Sequence, residues 1–197
     1  PTLKNALKRY DIHFNSYAIA LFHPVTTEFN NIEKQTKVFL ESLIESRFNY
    51  ILIFPNNDFG SKSIFNFYDK IKFKHPNIKI FPSIRFEFFL TLMKNANFMI
   101  GNSSSGIMEA PYYGLPVINI GSRQRNRANL ECIKNCNFEK KLLIRQINLY
   151  KKKKIRFKKI KFFGLGNSQK KFVDILIKKN SEIWMHSNQK YFNDISN

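Results

Sequence analysis

The stretch Ile100-Gly101-Asn102-Ser103-Ser104-Ser105-Gly106 passes from apolar residues through small polar ones into a helix-favouring run. In an open α/β sheet, ligands bind at such strand ends, and a helix starting there attracts anions. Ser103 and Ser104 can offer hydroxyls and free backbone N–H groups to a phosphate. Serines at a helix start also act as caps. Three in succession between two glycines exceed what a cap needs, so anion binding is the favoured reading. The pattern matches neither the P-loop nor the G-x-G-x-x-G fingerprint. Glu109, one helical turn further on, has two readings: acceptor for the hydroxyls of a ribose beside the phosphate, or partner of the helix dipole. Past the next apolar run, Gly121-Ser122-Arg123-Gln124-Arg125-Asn126-Arg127 sets three arginines in five residues at another strand end. Guanidinium forks grip phosphate oxygens in pairs, which makes this loop a candidate diphosphate clamp.

Two further residues end strands on the same side. His23 follows an apolar run and precedes Pro24, so its ring is fixed at a strand end; a lone histidine there is more often structural than catalytic. Asn56 follows Phe54-Pro55 at the end of the next run. His13, His75 and His186 lack such a setting and read as surface residues. Cys132 and Cys136 have no matching ligands elsewhere, so they read as buried thiols; no metal site and no cofactor are expected.

These residues need a scaffold. Apolar runs at 17–22, 50–54, 78–81, 98–100 and 116–120 are short, β-rich and bounded by Pro, Asn or Gly, as buried strands are. Between them, 29–48, 63–74, 86–96 and 105–113 keep helical spacing. This alternation predicts βαβ units, an α/β fold with a Rossmann-like, mostly parallel sheet covered on both faces. Beyond Ile120 the signal weakens. A strand or short helix near 142–149 is followed by a basic block, a helix over 168–179 and a last helical stretch over 181–192. The Rossmann-like domain is expected to span 1–165, with 166–197 as a helical extension.

Composition sets the outer bounds. The chain has 197 residues, 43% of them hydrophobic, with 21 Phe, enough for a real core and incompatible with disorder as the overall state. No apolar run approaches the roughly 20 residues of a membrane span, and no signal-peptide pattern is visible. Two cysteines cannot build a disulfide framework, and a reducing, cytoplasmic setting is the default expectation. With Pro at position 1, the chain reads as part of a longer frame. The formal charge of +19 invites a nucleic-acid reading. Yet Lys outnumbers Arg 25 to 8, and Phe, Ile, Lys and Asn together make 93 residues, all with A/T-rich codons. A phosphate-gripping surface would use more Arg, so most of this charge is read as compositional drift. The charge is uneven: net +7 over residues 1–137 and net +12 over 138–197, with eight basic residues in Lys151–Lys161. Such a block is usually solvated, though Ile155, Phe157 and Ile160 could dock part of it on a core. Against this drift seven glycines remain, four of them between 101 and 121, where a Cβ is expected not to fit.

The segment GNSSSGIMEAPYYGLPVINIGSRQRNR (101–127) closely resembles the signature of the UDP-N-acetylglucosamine 2-epimerases, and most of all their hydrolysing branch. FHPVTTE (22–28) and FPNNDFGS (54–61) resemble two further motifs of that family in the same order, and Phe163-Gly164-Leu165-Gly166-Asn167 its later glycine-rich turn. The resemblance implies the second, UDP-holding half of a GT-B architecture. Its partners would be a UDP-sugar (UDP-GlcNAc or a 2,4-diacetamido relative) and an N-terminal GT-B domain in the same or another chain; a homo-oligomer is compatible with it, a membrane is not expected. It further implies Ser103 and Ser104 at the diphosphate, Glu109 at the ribose, and Arg123 assisting at the phosphates. Asn56 would line the nucleotide pocket, backbone near Ile84 would face uracil, and His23 would be the active-site histidine. The reaction implied is loss of UDP by anti elimination to a glycal, then addition of water to give N-acetylmannosamine for sialic-acid-type sugars. The acid and base carboxylates would lie in the first domain, so this chain alone is expected to be inactive. Two positions depart from the pattern: Asn126 stands where the family has Gly, and Leu165 where it has Asp.

Two other functions remain as alternatives: a basic module that binds nucleic acid or another polyanion through 151–161, and a GT-B glycosyltransferase domain using the same phosphate loop.

Overall fold

The computed structural model describes residues 1–152 and 154–178. Six strands form one sheet: β1 (Ala18–Leu21), β2 (Tyr50–Ile53), β3 (Ile78–Phe81), β4 (Met99–Gly101), β5 (Val117–Ile120) and β6 (Ile133–Cys136). Their order is β3-β2-β1-β4-β5-β6, and every pairing is parallel. The chain runs outward from β1 to β3, then returns to β4 on the other side of β1. The direction of strand addition therefore reverses between β1 and β4, which leaves a crevice at their carboxyl ends.

The inner strands β1, β2, β4 and β5 bury residues on both faces, because helices cover both. Ala18, Ala20, Tyr50, Leu52, Ile100 and Ile118 face α2 (Ile32–Glu45), α3 (Ser61–Ile71) and α6 (Lys140–Lys151). Ile19, Leu21, Ile51, Met99 and Val117 face α1 (Leu3–Arg9) and α4 (Phe86–Asn95). Burying one such aliphatic or aromatic side chain stabilises by about 1.5–3 kcal/mol. These two clusters fix the sheet between its helices, so the carboxyl ends of the parallel strands lie along one edge.

Several elements differ from the sequence reading. Helix α1 and strand β6 were not expected. Residues 142–149 are helical, inside α6. The helix expected over 105–113 stops early: α5 spans only Ser105–Met108, and a 3₁₀ turn follows over Ala110–Tyr113. Pro111 has no N–H to donate to the turn before it, so the α-helical ladder cannot continue.

The basic block does dock in part. Phe157 N–H donates to Gly114 O at 2.8 Å and Ile160 N–H to Pro111 O at 3.1 Å. Gly114 has φ +63°, and a Cβ there would lie 2.1 Å from Phe157 O. The compact unit runs from Pro1 to Ile160, and a second begins at Lys161, slightly before the boundary at 165 expected from sequence. Within the second, Gly164 and Gly166 both have positive φ and precede α7 (Ser168–Lys178). Lys153, Lys179 and the helical stretch expected over 181–192 lie outside the described residues. Among those described, no helix is long and apolar enough to cross a membrane.

Candidate functional site

A cleft of about 570 Å³ opens along the carboxyl ends of β1 to β4. His23, Asn56, Ile84, Ser103, Ser104 and Arg123 all line it. Residues spread over a hundred positions of sequence thus meet at one edge of the sheet. The floor is the close approach of β1 and β4. Gly101 sits there at φ +136°, and a Cβ on it would lie 1.7 Å from Leu21 O. Glycine alone fits.

The turn after Gly101 carries the serines. Ser103 Oγ accepts from Ser105 N–H at 3.3 Å, so one hydroxyl serves the local turn. Ser104 occupies the cap position of α5 but makes no side-chain cap bond. Its hydroxyl remains available to a ligand in the cleft, which favours the anion reading over simple capping.

His23 is 5% exposed. Its Nδ1 faces the Asn56 N–H, a long contact of 3.4 Å. That contact calls for a neutral ring with its proton on Nε2. Burial is the main reason the imidazole is depressed to about 4; the positive charge of Arg123 pushes the same way, and Asp58 opposes it. His23 is therefore uncharged at neutral pH in the unliganded cleft.

The three arginines separate. Arg123 lines the cleft and donates from Nη1 to Asn102 O at 3.1 Å. No ion pair among the described residues uses it. Arg125 instead donates to Asn137 Oδ1 at 2.7 Å, and Arg127 to Gln124 Oε1 at 2.8 Å. Of the three arginines read from sequence as a candidate clamp, Arg123 lines the cleft, while Arg125 and Arg127 are engaged by Asn137 and Gln124. Asn126 adopts φ +66°, the left-handed conformation that Asn tolerates better than most residues.

Glu109 is the exception among the expected site residues. It lies just past the end of α5 and does not line the cleft. Its Oε2 is buried without a hydrogen-bond partner among the described residues. A buried, unsatisfied carboxylate oxygen is costly, and neither the helix-dipole reading nor any intramolecular contact accounts for it.

Two residues that sequence reasoning did not single out connect these parts. Asn102, 1% exposed, accepts at Oδ1 from His23 N–H (2.7 Å) and donates from Nδ2 to His23 O (2.8 Å). Glu28 accepts from Ser122 Oγ and from Gln35 Nε2 (2.6 Å), joining the 3₁₀ turn after β1 to the Arg123 loop and to α2. Both lie inside segments that carry the family resemblance, 22–28 and 101–127, but nothing in their type singles them out there. Cys132 and Cys136 are buried and free, with both thiols pushed up chiefly by burial. Among the described residues, no group of three or more His, Cys, Asp or Glu is placed to hold a metal ion.

Residues 1–177 match the family profile described as UDP-N-acetylglucosamine 2-epimerase. A UDP-N-acetylglucosamine 2-epimerase of Neisseria meningitidis is 37% identical over 203 residues, covering 100% of this chain and 52% of that protein. A GDP/UDP-N,N'-diacetylbacillosamine 2-epimerase (hydrolyzing) of Campylobacter jejuni is 36% identical over 118 residues, 57% of this chain and 30% of its own. The crystal structure of the Methanocaldococcus jannaschii UDP-GlcNAc 2-epimerase in complex with UDP-GlcNAc and UDP superposes with a TM-score of 0.67. It covers 89% of this chain and 49% of that one at 22% identity. The fold is accordingly the Rossmann-like C-terminal half of a GT-B architecture, and the chain spans about half the length of the Neisseria relative.

Proposed function

The chain belongs to the UDP-N-acetylglucosamine 2-epimerase family, and on that premise we propose that it forms the UDP-binding half of a hydrolysing 2-epimerase. The observation that carries this reading is the convergence of Ser103, Ser104, Arg123 and His23 on one cleft at the strand-order reversal. The Ser103–Ser105 turn offers hydroxyl and amide donors to a diphosphate, and Arg123 supplies positive charge with no carboxylate among the described residues competing for it. Glu109 does not line the cleft, so the ribose role that the family resemblance implies for it requires its carboxylate, whose Oε2 has no hydrogen-bond partner among the described residues, to turn toward the nucleotide. Asn56 and the backbone near Ile84 line the end of the cleft where the uracil would lie.

The chemistry follows from what leaves. When a base removes the C2 proton of the sugar, the C1–O bond breaks, its electron pair departs on the β-phosphate, and C1=C2 forms. Water then adds across that double bond, releasing N-acetylmannosamine or its diacetamido counterpart, of the kind used for sialic-acid-type sugars. The barrier depends on stabilising the charge that grows on the diphosphate, which preorganised donors do without reorganisation. Arg123 and the serine turn are those donors. His23 adds a proton donor: the bound dianion favours its charged form, opposing the burial that holds it neutral beforehand. The base and acid carboxylates come, in this reading, from the other half of the enzyme, in the same chain or another.

Titration calorimetry with UDP tests the site. Saturable binding is expected, weakened about tenfold or more by Ser104→Ala or Arg123→Ala, the loss expected for a hydrogen bond to a charged group. Absence of saturable binding, or variants that bind as well as the parent, would remove the basis of the proposal.

A further inference from the structure

We propose that Asn102 is a positioning residue of this site: its side chain clamps the main chain of His23 while its carbonyl seats Arg123, so one residue spaces the imidazole, the guanidinium and the serine turn. The β1–β4 ladder ends at the pair Leu21↔Gly101. Past that point the backbones diverge around the crevice, and Asn102 N–H makes the last main-chain bond, to Leu21 O at 3.1 Å. The Asn102 carboxamide then continues the pairing with side-chain atoms. Its Oδ1 accepts from His23 N–H at 2.7 Å and its Nδ2 donates to His23 O at 2.8 Å. Two antiparallel bonds to one residue fix that residue's main chain as a strand neighbour would.

Only Asn has the chemistry and the reach for this. Asp keeps the acceptor but loses the donor, Gln is a methylene too long for the same ring of bonds, and an apolar residue would leave both His23 groups unpaired in a buried site. The same residue's C=O accepts from Arg123 Nη1 at 3.1 Å. Three groups in the segments after β1, β4 and β5 are therefore referenced to one side chain and its own backbone. The charged groups that act on His23 are Arg123 and Asp58, and of these Arg123 is bonded to the clamp residue.

The assignment as a positioning residue rests on the cleft being a nucleotide-sugar site; the hold on His23 does not, and the experiment separates them. The imidazole resonance of His23 is followed by NMR against pH in the 197-residue chain and in Asn102→Ala and Asn102→Asp, with UDP titrations alongside. In the parent the midpoint is expected near 4. Releasing the clamp lets water reach the ring, so the midpoint of Asn102→Ala rises by about one unit or more toward the ordinary value, and UDP binds about tenfold more weakly. Asn102→Asp keeps the size and the acceptor and shows the same two changes, its own negative charge adding to the first. A purely structural asparagine would lower stability and leave both readings of the folded variant unchanged; that result overturns the proposal. Failure of both variants to fold overturns it too, by making Asn102 a requirement of the fold. If the parent itself binds no UDP, the functional reading fails, while the His23 titration still decides whether Asn102 governs the ring.

Discussion

His23 shows how a single residue links site chemistry to stability. In the unfolded chain it titrates near 6.5, and in the folded cleft burial and Arg123 lower that to about 4. Above pH 6.5 both states hold a neutral ring, so stability is unaffected. Between 6.5 and 4 the unfolded chain takes up a proton that the folded one refuses, so stability falls as pH falls; below 4 the loss is complete. The size is on the order of 3 kcal/mol. Carboxylates titrate in part of the same window, so the comparison must be with His23→Gln, which lacks the imidazole. The parent should lose more stability than His23→Gln between pH 7 and pH 4.5, read from urea midpoints. Parallel pH profiles would show that the ring is not held neutral. A bound diphosphate raises the folded-state value, so UDP should reduce the difference between the two proteins.

At the scale of elements, the carboxyl end of α4 shows where part of the basic block is held. Arg156 Nη2 donates to Lys94 O at 2.9 Å and to Ala96 O at 2.6 Å, meeting carbonyls that the helix end leaves open. A cation there also complements the helix dipole. Arg156→Ala should therefore cost about 1–3 kcal/mol in urea unfolding, with Arg156→Lys recovering part of it. A neutral effect would mean that 154–160 is only laid on the surface. The same elements mark how far the sequence could be read. Runs such as Ala18–Leu21 and Tyr50–Ile53 are buried throughout, so they appear as unbroken apolar segments between Pro and Asn. Strand β6, Ile-Lys-Asn-Cys, lies at the sheet edge with two exposed residues, and α1 buries only Ala6. Neither has a period long enough to recognise. The serines and Arg123 were legible from type and position. Asn102 and Glu28 act through partners 79 and 94 residues away, which no local pattern records. Glu109 is expected from sequence one turn into a helix reaching 113, but α5 ends at Met108 and a 3₁₀ turn containing Pro111 follows, which leaves Glu109 at the helix end.

For the molecule as a whole, the question is whether +19 of charge recognises anything. Much of that charge is exposed lysine, whose field is screened beyond about 8 Å at physiological ionic strength. Arg123 is different in kind: it faces a cleft, has no carboxylate partner among the described residues, and sits with oriented donors. A polyanion held by the lysine background binds by releasing counterions, so its affinity drops by about a hundredfold or more between about 50 and 200 mM salt. UDP held in the cleft involves few charges and fixed hydrogen bonds, and should weaken by less than about fivefold over the same range. Arg123→Ala should then weaken UDP and leave a polyuridylate oligomer almost untouched, while charge-reversing Lys158 and Lys159 does the opposite. Calorimetry and fluorescence anisotropy across the salt series distinguish the two modes. Equal salt slopes, or equal sensitivity to Arg123→Ala, would mean that both ligands see only the charged background. Separate slopes would make the arginine a recognition residue and leave the lysines as surface charge.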